Sequence, residues 1–340
     1  FIDADACFTS PEKTLKLLKN ADDEISPEFS GTGKIKDGSN LWLEHVRHTL
    51  ELSALNLERI KRKSFKVVVD AVNCTGSVIL PELLEKLGCK VYTLNCNSTG
   101  NFSRGAEPLP ENLDALCRTV IEKGADLGFA TDPDGDRLAV VNDKGQPLGE
   151  EFTLPFCMDG FYTESNTTSP VVVNLSTSML NDWVCQKHGV PIQHSKVGEI
   201  NVVEKMKEVD SEIGGEGNGG VIYADSHYGR DAIVAAALFL NRLSMENLSL
   251  TKVRSTFPDY RMIKDKINIA GLDIPDVIKR LKDNYQLVKS NELDGLKLIW
   301  NDKWIHIRPS NTEPILRIYG EAEDEHLLNK ELDTIKQLIS

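Results

Sequence analysis

The sequence predicts an α/β protein with two successive βαβ domains, followed by a smaller α+β C-terminal domain. Two stretches, starting near residues 65 and 171, repeat the same order of buried strand, helix, strand and helix. Such alternation indicates βαβ units with a parallel or mostly parallel sheet. After Pro258 the strand-like segments outnumber the helices, and this change of pattern indicates a separate α+β domain.

The first 63 residues are predicted to be mostly helical, because residues 41 to about 61 place apolar side chains among charged ones at helical spacing. These apolar residues are Leu43, Val46, Leu50 and Ile60. The first βαβ domain is predicted over residues 64–168. Its strands are predicted at 65–69, 90–94, 127–130 and 138–141, and its helices at 80–87 and 111–122.

The second βαβ domain is predicted over residues 169–255. Strands are expected at 171–175 and 192–195, helices at 179–188 and 199–208, and a long apolar helix at 231–243. The C-terminal α+β domain is predicted over residues 256–340. Its strands are expected near 261–266, 296–301, 304–308 and 314–319, and its helices near 274–284 and 324–338.

Composition limits the class of protein. The chain has 340 residues, with 40% hydrophobic and 27% charged residues, as ordinary soluble globular proteins have. A formal net charge of −13 argues against a nucleic-acid partner, and no apolar run reaches membrane-spanning length. Seven scattered cysteines without a C-x-x-C pair are typical of a reducing cytoplasm. We therefore expect a cytoplasmic protein without a membrane partner, and the sequence does not predict its oligomeric state.

An acidic loop lies between two predicted strands of the first βαβ domain. Residues 131–137 read TDPDGDR and place the carboxylates of Asp132, Asp134 and Asp136 at alternating positions of a tight turn. Alternation directs the side chains toward a common point, where three negative charges repel unless a cation lies among them. Carboxylate oxygens favour hard cations, so the loop predicts a Mg²⁺ site, with a solvated acidic turn as the alternative. An EF-hand is excluded, because its glycine and glutamate positions hold Arg137 and Asp143.

A glycine-rich segment in the second βαβ domain predicts a sugar subsite. Residues 214–220 read GGEGNGG, with five glycines around Glu216 and Asn218. Glycines let a ligand approach the backbone closely, and polar side chains two positions apart can face the same side and hydrogen-bond neighbouring hydroxyls. The alternative is a plain glycine-rich hairpin turn. The segment lacks the lysine and the spacing of a nucleotide P-loop.

An arginine-flanked segment in the C-terminal domain predicts a phosphate subsite. Residues 308–317 read RPSNTEPILR, in which Arg308 and Arg317 bracket the short polar residues Ser310, Asn311 and Thr312. Such polar residues favour turns that expose backbone N–H groups, and guanidinium groups match the geometry of phosphate. The alternative is a structural turn in which an arginine pairs with Glu313.

These three segments, one per domain and in this order, resemble the metal, sugar and phosphate loops of the α-D-phosphohexomutase family. That family includes phosphoglucomutases, phosphomannomutases and phosphoglucosamine mutases. Residues 105–113, which read GAEPLPENL, are also similar to a stretch in that family's second domain. The resemblance covers most of the chain.

The resemblance implies an isomerase of carbohydrate metabolism that interconverts hexose 1-phosphate and hexose 6-phosphate through a hexose 1,6-bisphosphate. It implies Mg²⁺ on Asp132, Asp134 and Asp136, with Arg137 assisting phosphoryl transfer at the same place. Sugar hydroxyls would be held by Glu216 and Asn218. The phosphate that is not reacting would be held by Arg308, Ser310, Asn311, Thr312 and Arg317.

Two features depart from the family pattern. The family's sugar loop usually reads G-E-x-S-G-H, whereas residues 215–220 read GEGNGG, so the preferred hexose stays open, with glucosamine and mannose phosphates favoured. The family's catalytic serine lies in a T-x-S-H-N-P loop of its first domain, and this sequence contains no such loop. We therefore expect residues 1–63 to be a helical remnant of domain 1 and this chain alone to be inactive.

Two other functions stay open at this point. One is a non-catalytic phosphosugar-binding protein that never had the serine domain. The other is a metal-dependent phosphatase or sugar-nucleotide transferase that uses the acidic loop directly.

Overall fold

The computed structural model describes residues 1–4, 7–22, 34–269, 272–310 and 313–339. Within these residues the strands form three sheets, two of mixed direction and one antiparallel. The predicted fold class, two α/β units followed by an α+β unit, is confirmed.

The N-terminal part forms helices α1 (Pro11–Asp22), α2 (Leu41–Glu51) and α3 (Leu57–Lys63). The single helix predicted from residue 41 to about residue 61 is wrong. Leu52 leaves the helical conformation with φ −59° and ψ 132° and is buried, which ends α2. Asn56 then starts α3, because its side chain accepts a hydrogen bond from the backbone N–H of Arg59.

The first sheet belongs to the first α/β domain and carries the acidic loop. Its elements are β1 (Lys66–Asp70), α4 (Gly76–Lys86), β2 (Lys90–Leu94), α5 (Asp114–Lys123), β3 (Leu127–Thr131) and β4 (Leu138–Asn142). The strand order is β2-β1-β3-β4, in which β1 runs parallel to β2 and β3, and β4 runs antiparallel to β3. The acidic loop connects β3 to β4.

Helix α6 (Thr153–Glu164) follows this sheet and was not predicted from the sequence. Its residues from Thr153 to Tyr162 are all buried, so it lacks the polar face that identifies a surface helix. It also contains Pro155, which the first turn of a helix tolerates, and Gly160. A Cβ atom on Gly160 would lie 2.6 Å from Cβ of Arg242, so the glycine allows close packing against a later helix, α9 (Ala232–Ser244).

The second sheet repeats the arrangement of the first. Its domain comprises β5 (Val171–Asn174), α7 (Leu180–His188), β6 (Ile192–Ser195), α8 (Glu199–Val209), β7 (Ile213–Glu216), β8 (Gly220–Tyr223), β9 (His227–Arg230), α9 (Ala232–Ser244) and α10 (Leu250–Arg254). The order is β6-β5-β7-β8-β9, with β5 parallel to β6 and β7, and the remaining pairs antiparallel. Strands β6-β5-β7-β8 thus match β2-β1-β3-β4 in order and direction.

Helix α9 lies at the centre of these two domains. All of its residues are buried, and it packs against α2, α3, α4 and α6. Residues 41–63 therefore pack on the α/β domains through α2 and α3, although they were predicted to share one unit with residues 1–40. In the part of the chain that the structure describes, no helix is both long enough and apolar enough to cross a membrane.

The third sheet forms the C-terminal domain. It comprises β10 (Arg261–Asn268), α11 (Ile274–Asn284), β11 (Lys289–Asn291), β12 (Leu296–Ile299), β13 (Lys303–Pro309), β14 (Ile315–Ala322) and α12 (Glu325–Ile339). All strand pairs are antiparallel, in the order β10-β14-β13-β12-β11. The short strand β11 was not predicted. Helices α11 and α12 bury apolar faces with this sheet in a core of its own that includes Val277, Leu281, Leu328, Leu332 and Ile335.

Candidate active site

One cavity of about 500 Å³ receives side chains from all three sheets. Its lining includes Arg137 of the acidic loop, Glu216 and Asn218 of the glycine-rich segment, and Arg308 and Arg317 of the C-terminal domain. The two α/β domains contribute through loops at the carboxyl ends of their parallel strands, where ligands of open α/β sheets commonly bind. The three predicted segments therefore converge on one place.

The acidic loop gathers its three carboxylates. Ligand oxygens of Asp132, Asp134 and Asp136 all lie within 4.8 Å of one another. Asp132 is buried, and its Oδ1 accepts hydrogen bonds from the backbone N–H groups of Gly135, Asp136 and Arg137 at 3.0–3.1 Å. Gly135 adopts φ +77°, which a side chain would strain. These bonds fix the fold of the loop, while Asp134 stays exposed.

This group of residues fits a hard divalent cation. Burial, together with neighbouring Asp136, raises the pKa of Asp132 to about 8, because its negative charge is poorly compensated. Oδ1 of Asp136 is buried and has no hydrogen-bond donor within the described parts of the chain, and Nε of Arg137 lies 3.6 Å from it. A cation among these oxygens would relieve both the repulsion and the unsatisfied acceptor.

Arg137, the last residue of the acidic loop, also lines the cavity. Its Nη1 donates to Glu107 at 2.9 Å, and its Nε lies 3.5 Å from Asp132 Oδ2. That Nε is buried without a hydrogen-bond acceptor within the described residues. Glu107 also lines the cavity and belongs to the segment at 105–113 that resembles the family.

The glycine-rich segment forms the tight connection between β7 and β8. Glu216 is buried, and its Oε1 accepts hydrogen bonds from Asn174 Nδ2 at 2.8 Å and from the backbone N–H of Gly198 at 2.9 Å. Asn218 is half-buried and bonds through Oδ1 to the N–H of Gly220 at 3.2 Å. The turn contacts β4, the strand that follows the acidic loop, since the N–H of Leu138 donates to the carbonyl of Gly219 at 3.0 Å.

Arg230 joins the acidic loop to the glycine-rich segment and was not predicted as a site residue. Its guanidinium contacts three carboxylates: Asp136 at 2.5 Å, Glu199 at 2.8 Å and Glu216 at 2.7 Å. Only 12% of the side chain is exposed. The sequence holds little signal for this role, because the three partners are far from residue 230 along the chain and meet it only after folding.

Lys264 is a second cavity residue that sequence reasoning missed. Its Nζ donates to Glu150 at 3.0 Å and to Glu151 at 2.8 Å. Burial opposes the charge of Lys264, but Glu151 and Glu150 outweigh it and raise its pKa. For Glu151, burial disfavours the charged carboxylate and raises its pKa to about 7. Lys264 thereby connects β10 of the C-terminal domain to the segment that precedes α6.

The two arginines of the C-terminal domain face each other across neighbouring strands. Arg308 of β13 is directly opposite Arg317 of β14 in the antiparallel register. Nε of Arg308 is buried without an acceptor among the described residues, while Arg317 donates to Glu313 at 2.9 Å and to Tyr319 Oη at 3.1 Å. Like charges directly opposite each other destabilise a sheet, so an anion between them would offset that cost.

The remaining members of the predicted phosphate subsite are only partly described. The N–H of Ser310 donates to the carbonyl of Ile315 at 2.9 Å, next to the end of β13 and the start of β14. Asn311 and Thr312 lie outside the described residues.

The sequence matches known proteins over nearly all of the part that forms these sheets. Residues 41–145 match the phosphoglucomutase/phosphomannomutase α/β/α domain II, residues 153–260 match domain III, and residues 264–338 match the C-terminal domain. The chain therefore belongs to the phosphoglucomutase/phosphomannomutase family, the α-D-phosphohexomutases. The domain II match begins at residue 41, whereas the boundary was predicted at residue 64.

Relatives cover most of this chain, but the chain covers only part of them. It is 32% identical over 335 residues to a probable phosphoglucosamine mutase of Methanocella arvoryzae, covering 95% of this chain and 73% of that protein. It is 31% identical over 293 residues to the phosphoglucosamine/phosphogalactosamine mutase of Sulfurisphaera tokodaii, covering 85% of this chain and 64% of that protein. A solved phosphoglucomutase/phosphomannomutase family protein from Burkholderia thailandensis shares the fold, with a TM-score of 0.82, 22% identity, and coverage of 97% of this chain and 70% of that one.

Proposed function

We propose that this chain supplies the metal, sugar and phosphate subsites of a phosphohexomutase, which interconverts hexose 1-phosphate and hexose 6-phosphate through a hexose 1,6-bisphosphate. The observation that carries the proposal is the arrangement of charge around one cavity, with clustered carboxylates on one side and two directly opposed arginines on the other. A sugar bisphosphate needs both, because one phosphate reacts near a cation while the other is held by guanidinium groups.

Mg²⁺ is the proposed cofactor, with Asp132, Asp134 and Asp136 as its ligands. When bound, it would neutralise charge on the transferring phosphoryl group. Arg137 is proposed to contact the same group, since its Nε, which has no acceptor among the residues that the structure describes, lies beside two of the carboxylates. A solved N-acetylphosphoglucosamine mutase of Aspergillus fumigatus in complex with GlcNAc-6P and magnesium supports this assignment for the shared fold.

Glu216 and Asn218 are proposed to hold the sugar hydroxyls. Arg308, Ser310, Asn311, Thr312 and Arg317 are proposed to hold the phosphate that is not reacting. Glucosamine phosphates are the preferred substrate in this proposal, because several relatives carry the name phosphoglucosamine mutase. The four domain ranges predicted above and a cytoplasmic location are also proposals, the latter supported by seven free cysteines.

This chain alone is proposed to bind its substrate without turning it over, because its sequence lacks the serine loop that carries the phosphoryl group in this family. Ser176 lines the cavity, and its Oγ hydrogen-bonds Nδ1 of His306 at 2.8 Å. It is therefore the residue to remove in a control for turnover by the chain itself.

The test is ³¹P NMR of the chain with glucosamine 6-phosphate, Mg²⁺ and a catalytic amount of glucosamine 1,6-bisphosphate. We expect the 6-phosphate resonance to broaden on binding, without a new 1-phosphate resonance. The broadening should disappear in an Arg308→Gln, Arg317→Gln variant and persist in Arg261→Gln, whose side chain is exposed on β10. Adding the serine-loop domain of a relative should then produce the 1-phosphate signal.

Three results would contradict parts of this proposal. An unperturbed 6-phosphate resonance would exclude the binding site itself. A 1-phosphate signal that is lost in Ser176→Ala would show that the chain carries its own phosphoryl acceptor. Release of inorganic phosphate without added bisphosphate would favour a metal-dependent phosphatase.

A further inference from the structure

A second cluster of metal-ligand side chains lies outside the cavity lining, where α2 meets β9 and the start of α9. His45 of α2, His227 of β9 and Asp231, the N-cap residue of α9, offer ligand atoms that all lie within 4.8 Å of one another. The Nε2 atoms of His45 and His227 lie 2.7 Å and 2.8 Å from the same atom, Oδ2 of Asp231. Two imidazoles thus converge on one carboxylate oxygen.

We propose that these three residues bind a divalent transition-metal ion of the Zn²⁺ type. Two imidazole nitrogens and one carboxylate oxygen form a donor set that suits such ions, with a fourth position left for water. The proposal concerns a site separate from the acidic loop, whose all-oxygen donors favour Mg²⁺ instead. It does not depend on the proposed mutase function.

The carboxylate is already oriented for this role. Oδ1 of Asp231 accepts hydrogen bonds from the backbone N–H groups of Ile233 at 2.7 Å and Val234 at 3.0 Å. These bonds fix the carboxylate and leave Oδ2 directed at the histidines. Metal ligands are commonly held in this way by partners that contact their other atoms.

The two histidines are accessible to an ion and have room to adjust. Their side chains are 27% and 39% exposed, whereas Asp231 is 9% exposed. Two ligands of one tetrahedral zinc ion lie about 3.3 Å apart, given bonds of about 2.0–2.1 Å. The N···O distances of 2.7 and 2.8 Å would therefore lengthen by roughly half an ångström on binding, a shift that partly exposed rings permit.

A bound ion would cross-link two parts of the molecule. His45 belongs to α2, while His227 and Asp231 belong to the domain that carries the glycine-rich segment. By binding all three residues, the ion would hold helix α2 against that domain.

The test is calorimetric titration of the chelator-treated chain with ZnCl₂ in excess Mg²⁺, which occupies the acidic loop. We expect one equivalent of Zn²⁺ to bind. His45→Gln and His227→Gln should each weaken Zn²⁺ binding at least about 100-fold. Substituting a residue that only supports the ligands weakens metal binding by about 10- to 100-fold, so a loss of this size or larger indicates a direct ligand. Glutamine can still donate a hydrogen bond to Asp231, so the variants keep that local contact, and circular dichroism checks their fold.

Two variants serve as controls. His48→Gln changes an exposed histidine one turn along the same helix and should leave Zn²⁺ binding unchanged. Asp134→Asn should weaken Mg²⁺ binding and leave the Zn²⁺ equivalent intact. The proposal is overturned if the wild-type chain binds no Zn²⁺ under these conditions, if His45→Gln binds as the wild type does, or if Asp134→Asn removes the equivalent.

Discussion

The two sides of the cavity differ in how their charged side chains are paired. On the carboxylate side, Asp136, Glu199 and Glu216 all pair with one buried arginine, Arg230. On the arginine side, Arg308 and Arg317 face each other directly, and Nε of Arg308 has no acceptor among the described residues. On the carboxylate side three carboxylates share a single arginine, whereas the arginine side has cationic capacity left for an anionic ligand.

This difference separates residues that hold the site together from residues that are proposed to hold the substrate. Removing the guanidinium of Arg230 from the carboxylate side leaves three carboxylates without their shared partner, which costs stability. Removing one from the arginine side relieves repulsion between like charges and should cost only ligand binding. Replacing an arginine by a neutral residue should therefore lower stability on the carboxylate side and ligand affinity on the arginine side.

The largest effect is expected for Arg230→Met. It leaves three carboxylates uncompensated in a region where the arginine is only 12% exposed, so the free energy of unfolding should fall by about 3–5 kcal/mol. Urea unfolding followed by circular dichroism measures this. Arg261→Met is the control, because its pair with Asp259 is exposed and should be worth less than about 1 kcal/mol. A loss below about 1 kcal/mol for Arg230→Met would show that Arg230 does not hold the carboxylate side together.

A backbone substitution on the carboxylate side should have the next largest effect. Gly219 adopts φ +87°, and a Cβ atom there would lie 2.6 Å from the carbonyl oxygen of Leu138. Gly219→Ala should therefore cost about 3 kcal/mol, from strain and overlap together. Gly135→Ala is the comparison, since its φ of +77° is similar but the nearest atom is 3.7 Å away. Gly135→Ala should lower the free energy of unfolding, measured by thermal unfolding, by about 1 kcal/mol. Equal losses for the two variants would contradict the described packing of the turn.

On the arginine side, Arg308→Gln should weaken binding of glucosamine 6-phosphate by about 10- to 100-fold, because hydrogen bonds to charged groups contribute about 1.5–3 kcal/mol. Stability should stay within about 0.5 kcal/mol of the wild type. Isothermal titration calorimetry and urea unfolding on the same sample separate the two quantities. Unchanged affinity combined with lower stability would reverse the assignment of Arg308.

A pH dependence is also predicted, from His306, which precedes Arg308 by two residues on β13. His306 hydrogen-bonds Ser176, and burial lowers the pKa of His306 from 6.5 to about 4. The unfolded chain then binds more protons than the folded chain between these values, so stability falls as pH falls from 6.5 toward 4. The loss assigned to His306 should reach about 2 kcal/mol by pH 5.

The contribution of His306 is isolated by comparing variants. His306→Gln should flatten the fall in unfolding free energy between pH 7 and pH 5, whereas His326→Gln, at an exposed position, should keep it. If the two variants show the same pH dependence as the wild type, His306 is not neutral and buried in the folded chain.

Local features of the fold could be predicted because their signals are local. Strand β2 lies at the predicted 90–94, since a short apolar run follows a glycine that ends a helix. Helix α6 could not be found this way, because it is buried on all sides and contains Pro155 and Gly160. The break at Leu52 was also missed, because both helices around it share one apolar pattern.

The segments that meet at the cavity could be picked out where their residue types are continuous in sequence. The acidic loop and the arginine-flanked segment each carry their residue types within ten positions. Arg230 and Lys264 could not be identified, because their roles come from partners on other elements. The functional roles of all the predicted site residues, including Asn311 and Thr312, stay predictions.

The central claim is that the acidic loop and the opposed arginines serve one bound phosphosugar. The most direct test replaces Mg²⁺ by Mn²⁺, which accepts similar oxygen ligands, and measures ³¹P relaxation of glucosamine 6-phosphate bound to the chain. The account predicts strong paramagnetic enhancement for the wild-type chain, lost in Asp134→Asn through loss of the metal and in Arg308→Gln through loss of the sugar. Enhancement that survives both substitutions, or binding of sugar and metal without any enhancement, would show that the two sides do not form one site.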